Sequence, residues 1–498
     1  MEDGCMKNRD NLHKKLDRMF FPGSVAVVGA SDLPGKWGNL ILISILGWKY
    51  AGKVFPVNPK KDTVFDLQSY PSLLDIPEEV DLAIFAIPAR FIPDGFRDCV
   101  KKRIQAAVVI SAGFKEAGEE GRVLEDEIAD IARKGDMVFM GPNTMGIASA
   151  HHNFEAIPTP TPVEAGGLAI ISQSGNLGLQ ILKWVAHKDI GLNIYAGTGN
   201  EAMLNTTILM EYLGARDDVK AIAMYIEGIP DGREFMEVAE KVTRIKPVIA
   251  LKTGRSKTGA RAAQSHTGSM AGSHSAYEAM FAQKGITGVR TPTELLNVST
   301  AMTHLPIPKS KRVAIMTMGG GWGIVAADEC EDAGLVLPEL SAEMISRLDA
   351  LLPDYWNRRN PVDLVGEGDA GMYLKVIEIL ARWDEIDAVI PLGIVGRSGY
   401  MEDFIACQER MGGELYTREL KLSVLKNQMQ NESRIISGIA RLQKETRKPI
   451  VLVALSEGGL SLADTDHGKV ISLSSPEQAV SIISHMARYG MYLKQRTS

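Results

Sequence analysis

Residues Ser24–Gly38 read SVAVVGASDLPGKWG. Five small or β-branched residues form a run with no charged side chain, which is the pattern of a strand buried on both faces. The next ten residues form a Gly-rich turn that leads into a helix. The same unit of strand, turn and helix recurs along the chain. Val54–Val57, Asp81–Ile87, Ala106–Ile110 and Met137–Met140 read as further buried strands separated by helical stretches. That alternation is the signature of a doubly wound parallel sheet.

The series pauses at the Pro-rich segment IPTPTPVE, Ile157–Glu164, and resumes with GLAII at Gly167–Ile171. Gly191–Ala196, Val219–Ile226 and Pro247–Leu251 continue it. Helix Glu294–Thr303 then leads into Leu305-Pro306-Ile307-Pro308. A third series contains Arg312–Thr317, Ala388–Leu392 and Pro449–Ala454, and ends in a helix from Pro476 to about Tyr492. The charged segment Arg397–Lys448 carries Leu, Ile and Met at helical spacing, so helices are expected there. The reading divides the chain into α/β domains at 1–150, 160–306 and 311–498. Ligands in such sheets sit beyond the carboxyl ends of the strands.

Composition narrows the function classes. The chain has 498 residues, too many for one core, and is 45% apolar and 23% charged. A net charge of −6 without a Lys/Arg cluster argues against nucleic acid or an anionic membrane as partner. Cys5, Cys99, Cys330 and Cys407 are scattered and form no metal-ligand pattern, so no metal site is expected. Met1–Arg18 lacks the apolar centre of a signal peptide, and no apolar run approaches the roughly 20 residues of a membrane span. A cytoplasmic protein is expected.

The first turn only loosely matches a dinucleotide fingerprint, because Ser31 stands where a second glycine is needed. The second strand ends in Val57-Asn58-Pro59-Lys60, with a cation where a ribose-binding acid would stand. A lysine there suits a phosphorylated ribose, and CoA and NADP fit it equally.

Taken together, the turns are more specific. VGAS…PGKWG, VNPK, VDLAIFAIPA, VVISAGFKEAGEEG and GPNTMGI resemble the CoA-binding domain of the ADP-forming acetyl-CoA synthetases. More distantly they resemble the α subunit of succinyl-CoA synthetase. The likeness continues through IISQSGNLG, YIEGI, KTGRS, SHTGSMAG, MTMGGGWGIVAADECEDAGL and NPVDL, and covers the chain from Phe21 onward. It implies a Rossmann-like CoA-binding domain followed by two flavodoxin-like domains. Thr144 stands where the family commonly has Cys, and Trp37 and Trp322 are bulky for Gly-rich turns.

The resemblance implies a relay in which acyl-CoA and phosphate give acyl phosphate, a histidine takes the phosphoryl group, and a nucleoside diphosphate receives it. His266 of Ser265-His266-Thr267-Gly268 is the expected carrier, in a Gly/Ala/Ser-rich stretch with Lys252, Arg255, Lys257 and Arg261 nearby in sequence. A neutral imidazole is a good nucleophile near neutral pH. Ser174, Gly175 and Asn176 open a helix whose unpaired N–H groups can hold phosphate. Ser174 also reads as an ordinary N-cap. Glu227 of YIEGI is the expected carboxylate partner of the histidine. Gly197, Asn200 and Glu201 stand at another strand end and are weaker candidates for the acyl or phosphate site. The implied CoA site comprises Gly29, Ala30, Ser31, Pro34, Lys36, Asn58, Lys60, Ile87, Pro88, Ser111, Gly113, Phe114 and Asn143.

GGGWG, Gly319–Gly323, is not a Walker loop, because no Lys-Ser/Thr follows it. An ATP-grasp module, which the family needs for Mg and ADP/ATP, has no counterpart in the sequence. A separate β subunit in an α2β2 assembly is the expected source. A non-catalytic CoA-binding or regulatory protein is the alternative, but it would have lost His266 or Glu227. An NADP oxidoreductase lacks its fingerprint, and a regulated acetyltransferase lacks its catalytic domain.

Overall fold

The computed structural model describes residues 2–259, 261, 274–366, 368–410, 417–455 and 458–497. The chain forms two compact units, Met1–Ser299 and Thr300–Ser498.

Among the described residues the first unit contains two large sheets and a small hairpin, Thr63–Val64 paired with Leu67–Gln68. In the first sheet Lys53–Val57, Ser24–Val28, Leu82–Phe85, Ala106–Val109 and Val138–Met140 lie side by side in that order, all parallel. Numbered along the chain, the order is 2-1-3-4-5. The direction in which successive strands are added therefore reverses between Ser24–Val28 and Leu82–Phe85, and a crevice opens beyond their carboxyl ends. Two glycines shape its floor. Gly29 has φ +91°, and a Cβ there would lie 2.6 Å from the Ala86 carbonyl oxygen. A Cβ at Gly38 would lie 1.9 Å from the Gly29 oxygen, so only glycine lets helix Trp37–Gly47 start this close to the strand.

The second sheet places Thr287–Val289, Val248–Lys252, Ala221–Ile226, Ala165–Ser172 and Leu192–Gly197 in the same 2-1-3-4-5 order, read from the other edge. Its reversal lies between Ala165–Ser172 and Ala221–Ile226. Two antiparallel strands, Ile147–Ser149 and Phe154–Ala156, extend it beyond Leu192–Gly197. They follow directly on the first sheet in sequence. Each is three residues long, too short for periodicity to reveal, and the turn between them needs Asn153 at φ +49°. This hairpin joins the cores: Ile147, Phe154 and Ala156 share one apolar cluster with Val27 and Ile84 of the first sheet and Ile171 and Met224 of the second. The two sheets therefore belong to one compact unit.

In the second unit Val362–Asp363, Val313–Thr317, Ala388–Leu392, Leu452–Val453 and Gly468–Leu473 repeat the order once more, with Ser461–Thr465 antiparallel on the edge. Leu452–Val453 falls within the expected strand Pro449–Ala454, whereas Val362–Asp363 and the 461–473 hairpin are not apparent in the sequence. The helical reading of the charged segment agrees with helices Arg397–Arg410 and Arg418–Thr446. The second of these buries Ile435, Ile439, Ala440 and Leu442. It lies close against Ala370–Ala381, since a Cβ at Gly438 would come within 2.4 Å of Leu374. Helix Pro476–Thr497 closes the unit. Among the described residues, no helix is long and apolar enough to cross a membrane.

Candidate active site

A cleft of about 1050 Å³ opens in the first unit at the carboxyl ends of both sheets. Ile87, Pro88, Ser111 and Asn143 come to it from the first sheet; Gln173–Asn176, Glu201 and Glu227–Pro230 come from the second. Trp37 borders it, 47% exposed.

The first-sheet wall is held by turn chemistry. Ser111 Oγ donates to the Ile87 carbonyl at 2.5 Å, and the Asn143 N–H donates to Ser111 O at 2.9 Å with Asn143 at φ +58°. Burial alone would raise the Glu116 carboxyl. The Asn200 amide at 2.5 Å and the N–H groups of Gly113 and Phe114 at 2.6 and 3.1 Å outweigh it and hold Glu116 below its usual range. Asn200 also donates to Glu125 at 2.8 Å and accepts from Asn143 at 3.3 Å, which joins the two walls. Thr144 makes a second joint. Its hydroxyl donates to Gly197 O at 2.5 Å and accepts the Gly146 N–H at 3.0 Å.

On the second-sheet wall, Ser174 is the N-cap of helix Gly175–His187, but its side chain makes no capping bond. The first-turn N–H groups, with the positive end of the helix dipole, are therefore presented to the cleft. Gly175 is needed there, since a Cβ would lie 2.6 Å from Met145 Cγ. Glu227 directly follows the buried strand Ala221–Ile226. Its N–H and that of Gly228 both donate to Gln173 Oε1, at 2.5 and 3.0 Å. Burial raises the Tyr225 phenol, and the Glu227 carboxylate beside it raises it further. Lys252 is 6% exposed; burial lowers its ammonium, partly offset by Glu227. Its Nζ donates to Thr253 O at 2.5 Å and lies 4.7 Å above the Tyr277 ring. Lys252 is thus a buried cation within electrostatic reach of Glu227.

The cleft brings together Ile87, Pro88, Ser111, Asn143, Ser174, Gly175, Asn176 and Glu227 of the expected set. Gly29, Ala30, Ser31, Pro34 and Lys36 form the adjoining first turn. Asn58 donates to Ala30 O at 2.8 Å and accepts the Lys60 N–H at 2.9 Å, so VNPK is braced against that turn. Phe114 is fully buried and offers no side chain to a ligand, and Gly113 carries φ +105° beside it. His266 lies outside the described residues. Gln173 and Glu116 line the cleft and were not singled out from the sequence. Both lie inside the quoted motifs, where the Ser and Gly positions carry the turn signal and an amide or acid beside them has none of its own.

Two family models match: a CoA-binding domain over residues 23–150 and a succinyl-CoA ligase-like flavodoxin domain over 165–302. The α subunit of ADP-forming acetate–CoA ligase II from Pyrococcus furiosus is 43% identical over 76% of this chain and 82% of its own length. This chain belongs to the ADP-forming acyl-CoA ligases. The ADP-forming acetate–CoA ligase I of Archaeoglobus fulgidus is 39% identical over 80% of this chain and 57% of its own longer sequence. A solved acetyl-coenzyme A synthetase 1 of Candidatus Korarchaeum cryptofilum, in complex with phosphate and ADP, superposes with a TM-score of 0.81 at 29% identity. That match covers 97% of this chain and 98% of that one. The chain is thus an acid–CoA ligase of the α-subunit type, with a CoA-binding domain at its first sheet. Nothing in these likenesses favours a non-catalytic protein.

Proposed function

We propose that this chain carries out the CoA, acyl and phosphoryl steps of acid + CoA + ATP = acyl-CoA + ADP + phosphate. In the acyl-CoA-consuming direction, a phosphate oxygen attacks the thioester carbonyl. The C–S bond breaks, the CoA sulfur leaves as thiolate and takes up a proton, and acyl phosphate forms. A ring nitrogen of His266 then attacks phosphorus, the P–O bond to the acyl group breaks, and the acid leaves as carboxylate. The helix start at Ser174-Gly175-Asn176 holds the phosphoryl oxygens through backbone N–H groups. Glu227 orients the imidazole and stabilises its cationic form. The phosphoryl group then passes to ADP on a separate ATP-grasp β subunit, which also holds Mg and completes an α2β2 enzyme in the cytoplasm.

One observation carries this reading: the CoA-side turns and the uncapped helix start line one cleft, with Glu227 on the same wall as the helix start. The cleft volume of about 1050 Å³ leaves room for a pantetheine arm beside an acyl and a phosphate group. The described residues flanking His266 support it as well. Lys252 lies within electrostatic reach of Glu227, and on the other side of the histidine the Tyr277 hydroxyl accepts the Ile229 N–H at 3.1 Å and ties that segment to the Glu227–Ile229 turn. Ser111 and Asn143 fit the CoA arm, and Lys60 the 3′-phosphate. We take 1–150, 160–306 and 311–498 as the functional domains.

The test is labelling of the purified chain with a panel of acyl phosphates. An acid-labile, base-stable phosphate is expected on the wild-type chain and none on His266→Ala, with CoA binding retained. Equal labelling of His266→Ala would remove the relay.

A further inference from the structure

Gln173 occupies the reversal point of the second sheet. It follows Ser172, which pairs with Tyr225 on the neighbouring strand, so it stands beside the point where Ala221–Ile226 gives way to Glu227. Beyond these two residues the strands diverge, one chain into helix Gly175–His187 and the other into the Glu227 turn. Among the described residues, strand pairing ends at Ile226 and does not hold the backbone of that turn. The Gln173 side chain takes its place. Oε1 accepts the N–H groups of Glu227 and Gly228 at 2.5 and 3.0 Å, while Nε2 donates to the Gly228 carbonyl at 2.8 Å. An amide is the side-chain group that satisfies both sides of this turn; a carboxylate would set an oxygen against the Gly228 carbonyl.

The amide is itself oriented from behind. Nε2 also donates to Thr206 Oγ1 at 3.3 Å, and the Thr206 hydroxyl is directed away from it, donating to Glu201 Oε1 at 2.6 Å. The same oxygen accepts the Thr206 N–H at 3.0 Å. An unbroken chain of hydrogen bonds therefore runs from Glu201 through Thr206 and Gln173 to Gly228. We propose that Gln173, oriented by Thr206 and Glu201, is the positioning residue that holds Glu227 where it meets the phosphoryl carrier. The inference rests on the role given to Glu227 above.

The test is a double-mutant cycle on the full chain, read as the rate of labelling by whichever acyl phosphate of the panel labels the wild type. Gln173→Met keeps the side-chain length and removes the amide. It is expected to slow labelling about a hundredfold, the usual effect of displacing a reacting group by about 1 Å. CoA affinity should change less than about twofold, as the amide does not contact the CoA wall. If Gln173 acts through Glu227, Gln173→Met adds nothing to Glu227→Gln. A full, independent loss in the Glu227→Gln background, or wild-type labelling by Gln173→Met, overturns the inference. Wild-type labelling by Glu227→Gln alone overturns the role of Glu227 itself, and that outcome is read without the Gln173 variant. Should Gln173→Met fail to fold, Thr206→Val replaces it. Slow labelling that Thr206→Ser restores supports the relay, and wild-type labelling by Thr206→Val sinks it.

Discussion

Lys60 and Lys61 are adjacent, exposed and chemically alike, yet the structure gives them different surroundings. Lys61 Nζ is paired with Asp32 at 3.1 Å, whereas the Lys60 backbone is fixed by Asn58 at the tip of the VNPK turn. Charge reversal at Lys60 should therefore weaken binding of a ribose phosphate and spare the rest of CoA. Lys60→Glu is expected to lower CoA affinity about tenfold, an exposed-pair effect that shrinks with added salt, and to leave dephospho-CoA nearly unaffected. Titration calorimetry with both ligands checks this, and equal losses would refute the assignment. At this scale the sequence marks which residues matter through their turn chemistry. It does not show what holds them. Gln173 is one residue from Ser174 in sequence, but its role depends on the Ser172–Tyr225 register, which only pairing of distant strands creates.

Among the elements, the strand Phe154–Ala156 carries an unusual load. Glu155 is fully buried, with Oε1 accepting the Thr161 N–H at 2.9 Å and Oε2 without a partner among the described residues. Burial pushes its carboxyl from 4.5 up to about 8, against the smaller effect of that hydrogen bond. The folded state therefore holds a proton that the unfolded chain releases. Stability should be highest below about pH 4.5 as far as this group is concerned, fall between about 4.5 and 8, and level off above 8. The slope in that window is at most ~1.4 kcal/mol per pH unit. Glu155→Gln should flatten it, so the variant gains stability over the wild type from pH 5 to 8 in urea unfolding. An unchanged slope would show that Glu155 ionises in the folded protein. The hairpin that carries Glu155 was not legible, because two three-residue strands leave no period to read. Most of the parallel strands were legible because burial on both faces demands continuous apolar runs; Thr287–Val289, Val362–Asp363 and Gly468–Leu473 lie at or near sheet edges and were not. The helices at 397–446 were legible from their spacing.

For the whole molecule, the single core shared by the first two sheets makes CoA binding a property of a large cooperative unit. CoA at about 100 times its Kd should add ~2.7 kcal/mol to folding stability, seen as a raised Tm at fixed protein concentration. The same preparation should not turn over ATP until an ATP-grasp partner is added. Turnover by the chain alone would remove the need for a partner. Three sheets with one strand order provide three reversal points, and the described cleft combines two of them.

The sequence by itself determined the α/β class, most of the buried parallel strands and the family, because such strands and Gly turns impose their composition locally. It also determined His266, Glu227 and Ser174-Gly175 as candidates. Tertiary structure alone decided that two sheets share one core and that their turns meet in one cleft. It also decided that Gln173 holds Glu227 and that Ser174 leaves its helix uncapped. Each of these depends on hydrogen bonds or packing between residues that are remote in sequence, or on a side-chain direction that composition leaves open.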